Sequence, residues 1–260
     1  MINYTFSYEN LEFFLLIFVR ISCFIYTAPF FSINNVPRRV KAGFSIMFAF
    51  VLYQVLPIHE VPDYSSVLGY SVIILKEASA GVMIGLGAGI CNTIVQFAGK
   101  IADMEVGLSM VQMMDPLTRD SSGFMGTFYQ YGVTLIMLVT NFHHYLIRAL
   151  VDTFTLIPIG TAQFSSEKLL TTMIQFLEDY TSISFRICLP IVASMLLLNC
   201  ILGILAKTAP QINMFSVGIQ LKVLAGLTIL FVTIGVLPNA SDYIFREMKI
   251  MITAVVESMI

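Results

Sequence analysis

Charge is missing from long blocks of this chain, and that constrains its fold more than any motif does. The stretches 21–37, 42–59, 78–99, 121–147, 187–206 and 223–241 contain no Asp, Glu, Lys or Arg. A helix that crosses a bilayer needs about 20 mostly apolar residues, with a range of about 17–25. The pattern predicts an all-α membrane protein with about six long apolar helices. The first apolar segment spans 11–31 and has Glu12 and Arg20 embedded in it. The third extends back to about Val67 across Lys76 and Glu77. Leu56-Pro57 is expected to end the second segment and Leu237-Pro238-Asn239 the sixth, because proline cannot continue a helix in the ordinary way. Between the fourth and fifth segments the polar stretch Gln163 to Asp179 is expected to hold a surface helix.

The last twenty residues form a seventh element of another kind. Ile244, Met248, Met251, Val255 and Met259 recur at steps of four, three, four and four, while Asp242, Arg246, Lys249, Thr253 and Glu257 recur on another face. This is the period of an amphipathic docking helix rather than a span.

Composition excludes several classes. Hydrophobic residues make up 57% and charged residues 12%, whereas a soluble domain carries about 25% charge. Mean hydropathy is +0.85. An ordinary soluble enzyme and a disordered chain are therefore excluded. A net charge of −2 leaves no basic excess for nucleic-acid phosphates. Over 260 residues the composition favours a single domain. Cys23, Cys91, Cys188 and Cys200 lie in apolar runs without a CxxC pair, which argues against a disulfide framework or zinc site. The N-terminus has no basic region and carries Glu9 and Glu12, so the first apolar segment is expected to stay in the mature protein. Arg38, Arg39 and Lys41 lead one to expect the first loop in the cytoplasm and the N-terminus outside.

Candidate sites come from residues that break the apolar pattern. Gly81, Gly85 and Gly89 share one helix face. Such stripes let another backbone come close, so helix packing is favoured over a flexible helix, with the partner in this chain or in another. Glu12, Arg20, Lys76 and Glu77 are ionisable groups inside apolar segments. Each costs about 2.5–3.5 kcal/mol to insert. Because the segments around 131, 195 and 230 carry no charge, buried ion pairs or partner-facing groups are favoured over a proton relay. Glu12 and Arg20 are eight residues apart, too far for a direct bond on one helix. His143 and His144 are adjacent and poorly placed for a shared metal, so they read as interfacial. No HExxH, GxSxG or P-loop occurs. No catalytic, cofactor-binding or metal-binding residue is assigned.

The stretch Lys100–Ser122 carries Met104, Met110, Met113 and Met114 and then Asp115-Pro116, a helix breaker. Methionine fills irregular gaps, so this cluster fits a deformable seal. It fits ordinary core filling equally in a chain with 15 methionines. A re-entrant or pore-lining segment is compatible with both, since irregular backbone at membrane depth is tolerated inside protein or around a cavity.

Several motifs, taken in order, resemble the FliR/SctT family of type III secretion export-gate proteins. They are Arg20 with Ala28-Pro29-Phe30 and Val36-Pro37-Arg38; Glu77-x3-Gly81-x3-Gly85 running into Ala98-Gly99; and Asp103-x3-Gly107-Leu108 before Asp115-Pro116. Asn141-Phe142-His143-His144, Phe154 and Ile157-Pro158-Ile159-Gly160 follow. Ala209-Pro210-Gln211-Ile212-Asn213-Met214-Phe215, with Gly218, Leu221-Lys222 and Gly226, complete the set over roughly 11–230.

The resemblance implies a part similar to FliP, about 1–180, fused to a hairpin similar to FliQ with the C-terminal helix, about 181–260. It implies kinked hairpins in a helical assembly at least partly lifted above the membrane plane. Charges such as Arg20, Glu77 and Asp103 would then meet neighbouring subunits. It implies assembly with FliP-like and FliQ-like gate subunits around a channel for unfolded flagellar export substrates. FlhB-like and FlhA-like components would be further partners, with the protein multi-pass in the bacterial cytoplasmic (inner) membrane at the flagellar basal body. The family's pore plug maps within Gly107–Asp120, with Met110, Val111, Met113 and Met114 as plug candidates and Gly107, Asp115 and Pro116 shaping the loop. Pro210, Gln211, Asn213 and Phe215 carry the family motif at the hairpin. Several relatives have glutamine where this chain has Glu105, which pairs with Lys100 or alters ion leak at the pore. The chain has no FlhB-like extension, so a separate FlhB-like partner is expected. A stand-alone secondary transporter or channel is the competing reading; it predicts a repeat between halves, and none is visible. An intramembrane enzyme would need a catalytic cluster, which is missing.

Overall fold

The computed structural model describes residues 8–31, 36–56, 61–62, 64, 66–109, 123–211 and 213–260. All regular elements among them are helical: α1 (Tyr8–Thr27), α2 (Arg38–Val55), α3 (Val67–Val106), α4 (Phe124–Val139), α5 (Phe142–Leu156), α6 (Ser166–Thr208), α7 (Met214–Thr233), a 3-10 turn (Ile234–Val236) and α8 (Leu237–Glu257). Four helical stretches are long and apolar enough to cross a membrane, or up to five if the bent pair α4–α5 counts as one. The chain is an all-α membrane protein.

The helices form two compact units. The first contains residues 1–90, 141–175 and 247–260. Here α1 packs on α2 through aromatic side chains, with Tyr53 6.2 Å from both Phe13 and Phe14. The aliphatic residues Leu16, Ile17 and Ile21 of α1 are fully buried. Near the C-terminus, the backbone amides of Gln163 and Ser165 donate to the carbonyls of Met259 and Ser258 at 3.0 Å each, which fastens the chain end to the segment after α5.

The second unit contains residues 91–140 and 176–246. The Ser184 hydroxyl on α6 donates to the Ile94 carbonyl on α3 at 3.1 Å. Phe97 stacks on Tyr180 at 5.2 Å. Val106 fills the space beside Gly226 on α7, where a Cβ would clash with its methyl groups.

Along the C-terminal residues the amphipathic expectation holds position by position. Ile244, Met248, Met251, Val255 and Met259 are all buried, and Asp242, Arg246, Lys249, Thr253 and Glu257 are all exposed.

Three element boundaries differ from the sequence expectation. The fourth apolar segment, 121–147, is two helices, α4 and α5, with the break at Thr140 and Asn141. Asn141 has φ +56°, a left-handed conformation that asparagine tolerates better than most residues. Hydropathy does not register such a break, because both flanks are apolar. The expected surface helix in 163–179 and the fifth segment are one helix of 43 residues. No breaker lies between 179 and 187, and Pro190 is absorbed inside the helix. The sixth segment stops as a regular α-helix at Thr233, before Pro238. Pro238 itself lies in the first turn of α8, where the missing N–H has no intrahelical acceptor to leave unpaired.

Candidate functional site

In the first unit, the polar residues of α1 and α3 meet. Arg20 and Glu77 are both without accessible surface. The Arg20 Nε donates to Glu77 Oε2 at 2.6 Å and its Nη2 to Oε1 at 3.0 Å, a two-point guanidinium–carboxylate contact. The remaining nitrogen, Nη1, donates to the carbonyls of Thr153 and Ile157 at 3.2 and 3.0 Å. These carbonyls stand at the C-terminal end of α5, the end that favours a cation; the Thr153 carbonyl also accepts the Ile157 N–H at 2.9 Å. The guanidinium also lies over the Phe154 ring, 4.4 Å from its centre. Glu77 Oε1 accepts from the backbone N–H of Gly160 at 2.8 Å. Gly160 has φ +80°, which a β-carbon would disfavour, so the Ile157–Gly160 turn can present that N–H. Lys76 donates to the Gly160 carbonyl at 3.4 Å. Every group of the pair is satisfied inside one chain, so Arg20 and Glu77 have no surface left for a neighbouring subunit. The network joins three helices and one turn.

The glycine stripe lies beside this pair. A Cβ at Gly81 would collide with the Arg20 carbonyl, and one at Gly85 with the Thr27 hydroxyl. At Gly89 it would come within 3.0 Å of the Thr27 carbonyl. The partner of the stripe is α1 of the same chain. The close approach brings α3 near enough for Glu77 to reach Arg20. Glu12, whose pairing the spacing leaves open, accepts from the Tyr64 hydroxyl at 2.7 Å. That bond holds the Tyr64 hydroxyl above its ordinary pKa. His143 and His144 lie in the first turn of α5 with their rings 4.2 Å apart, and Phe30 covers His143 at 5.7 Å.

In the second unit, Asp103 is 2% exposed near the end of α3. Its Oδ1 accepts from the backbone N–H of Met125 at 3.1 Å. The N-cap of α4 is Gly123, which has no side chain to cap with. Asp103 caps α4 from a different helix, placing a carboxylate at the positive end. Gly123 leaves room for it, since a Cβ there would strike the carboxylate. One turn back along α3, Gly99 faces the backbone of Gly126, again with no space for a Cβ. One turn forward, Gly107 ends α3 with φ +89°, its N–H donating to the Asp103 carbonyl at 3.1 Å. Gly123 therefore stands against the Asp103 carboxylate, while Gly107 follows Asp103 by one helical turn. Met110, Val111, Met113, Met114, Asp115 and Pro116 lie outside the described residues.

The third motif is the turn between α6 and α7. Pro210 and Gln211 stand in it, both exposed. Asn213 caps α7, accepting the Ser216 N–H on its side chain at 3.4 Å. Phe215 lies in the first turn of α7.

Residues 11–248 match the family described as bacterial export proteins, family 1. The chain belongs to this family. Flagellar biosynthetic protein FliR of Bacillus subtilis (strain 168) is 33% identical over 229 residues, 86% of each chain. FliR of Escherichia coli (strain K12) is 29% identical over 245 residues, 93% of this chain and 90% of that one. FliR of Aquifex aeolicus (strain VF5) is 27% identical over 241 residues, 93% and 92% of the two chains. A member of the FliR family with these helices is a membrane-embedded component of the flagellar export apparatus.

Sequence reasoning picks out Arg20, Glu77 and Asp103 in this family member without finding what they bind. The acceptors of Arg20 are backbone carbonyls of Thr153 and Ile157, and backbone atoms carry no residue-type signal. Gly123 and Gly126 escape a search for glycine stripes within one helix. Their spacing, with Gly99 on the facing helix, is the available sign of a close helix approach.

Proposed function

We propose that this chain is a non-enzymatic subunit of the gate of the flagellar type III export apparatus. It assembles with FliP-like and FliQ-like subunits, beside FlhB-like and FlhA-like components, in the bacterial cytoplasmic membrane at the flagellar basal body. Together they form the channel for unfolded flagellar proteins. Residues of about 1–180 serve as the FliP-like part, and about 181–260 as the FliQ-like hairpin with the C-terminal helix.

The observation that supports this reading is the α6–α7 hairpin. Its side chains include Leu189, Leu196, Leu197, Ile204, Leu224 and Phe231, each more than half exposed. The apolar windows in Ser166–Thr208 and Ser216–Glu257 are each only 17% buried within this chain. An apolar hairpin left open on this scale fits a subunit completed by neighbours and lipid. Met110, Val111, Met113 and Met114, within Gly107–Asp120, form the seal of the closed pore in this reading.

Native mass spectrometry of the protein co-expressed with FliP-like and FliQ-like partners tests the assembly. One copy of this chain with several copies of the others is expected; a stable self-assembly that ignores them points to a stand-alone transporter. Replacing Met110, Met113 and Met114 together with glycine should raise ion leak through the complex. An unchanged leak removes the plug role.

A further inference from the structure

A hollow of about 270 Å³ opens in the second unit between α6 and the stretch that joins α7 to α8. On one wall, Pro190 lies inside α6; having no N–H, it cannot bond the carbonyl of Arg186 one turn before it. On the other wall, the chain passes through the 3-10 turn Ile234–Val236 between α7 and α8. Ile187, Val236 and Leu237 make the lining mainly apolar.

The polar lining residues are Tyr129, Arg186, Thr233, Asn239 and Tyr243. Arg186 immediately precedes the charge-free run 187–206 on α6, while Asn239 and Tyr243 stand at the end of the run 223–241. The chain enters the apolar layer along α6 and returns along α7, so both positions mark the same boundary of that layer. Arg186 is the one charged residue among the described residues of the lining. It is exposed, and it makes no ion pair or side-chain hydrogen bond among the described residues. An unpaired guanidinium beside an amide and a phenol hydroxyl, above an apolar hollow at a membrane boundary, has the chemistry of a phosphodiester site. Guanidinium binds phosphate at two points, tyrosine favours the interfacial layer, and the hollow accepts hydrocarbon.

We propose that this hollow binds one anionic phospholipid, with its headgroup phosphate on Arg186, Asn239 and Tyr243 and the upper part of an acyl chain between Ile187, Val236 and Leu237. The proposal rests on membrane embedding and is independent of the plug. It gives Pro190, inside α6, a place in the wall of a ligand site.

The test uses the full chain purified in mild detergent with the subunits that accompany it. Phosphatidylglycerol or phosphatidylcholine is added, and retained lipid is read by native mass spectrometry. One phosphatidylglycerol per chain is expected, with phosphatidylcholine held more weakly. Arg186→Gln keeps the polarity of an exposed side chain and should lower phosphatidylglycerol retention about fivefold. Ala240→Trp fills the hollow, leaves Arg186 in place, and should abolish retention of either lipid. Equal retention of the two lipids, or unchanged retention in Arg186→Gln, overturns the proposal. So does a photo-crosslinker at Asn239 that captures a neighbouring subunit instead of lipid, since the hollow is then a protein contact.

Discussion

The Arg20–Glu77 region and the α6–α7 hairpin are both built from apolar helices, yet they use apolarity in opposite ways. The apolar windows of α1 and α3 have mean hydropathy 1.6 and are 39% and 47% buried. Those of Ser166–Thr208 and Ser216–Glu257 reach 2.4 and 2.1 and are 17% buried. The less apolar helices bury more of their surface within the chain, and the more apolar ones leave more of it open. A helix with charges embedded in it can lie among others if those charges find each other, and Arg20 and Glu77 do. A helix with none can face lipid or another subunit. In this chain high hydropathy marks what the fold leaves for its surroundings, and the isolated charges mark what it encloses.

The largest test of that contrast removes one half of the ion pair. Glu77→Ala leaves the Arg20 guanidinium buried with two backbone carbonyls and the Phe154 ring, but no anion, to answer its charge. Breaking a buried pair in this way costs about 3–5 kcal/mol, a large part of the stability of a typical domain. Immunoblots of membranes should show the chain largely lost, and the double variant Arg20→Met with Glu77→Leu should recover part of it. Wild-type accumulation of Glu77→Ala would mean that the network does not hold the three helices together.

A smaller effect separates glycines in the two regions. Gly81→Ala drives a methyl group into the Arg20 carbonyl on α1, while Gly203 on α6 has nothing within 4 Å of a Cβ. The first should cost about 1–3 kcal/mol; the Gly203→Ala change should be neutral or slightly stabilising, by up to about 1 kcal/mol. Thermal unfolding in detergent checks both, and equal shifts would remove the distinction. Gly85→Leu, an attractive way to block assembly with FliP-like subunits, strikes α1 of this same chain first. A failure to assemble would therefore report misfolding.

The smallest expected change concerns the cap on α4. Asp103→Ala removes the acceptor for the Met125 N–H and should cost about 0.5–2 kcal/mol, while Asp103→Asn keeps an acceptor and should cost less. Hydrogen exchange at the first turn of α4 is the readout. Equal protection in Asp103→Ala and the wild type would show that α4 needs no cap from α3.

Fold class is legible because hydrocarbon imposes it. Charge-free runs near span length and a four-three-four-four repeat at the C-terminus read directly as helices. The break at Asn141 is not legible, since a left-handed residue between two apolar helices leaves no trace in hydropathy. The fusion of the 163–179 stretch with the fifth segment is hidden for a related reason: a change in polarity marks a new surface, and a helix ends only when its backbone does. Of the candidate residues, Arg20 and Glu77 stand out because charge is costly in an apolar run. Their partnership does not, because 57 residues separate them.

The sequence alone determined that this is an all-helical membrane chain of the FliR family, which residues break its apolar runs, and which face of the last helix is buried. Those properties are local or additive, so residue order carries them. Tertiary structure decided that Arg20 meets Glu77 and the end of α5, that the glycine stripe closes on α1, and that Asp103 caps a helix other than its own. Each of these depends on backbone atoms brought together from distant positions, and the order of side chains does not encode where a carbonyl or an N–H will point.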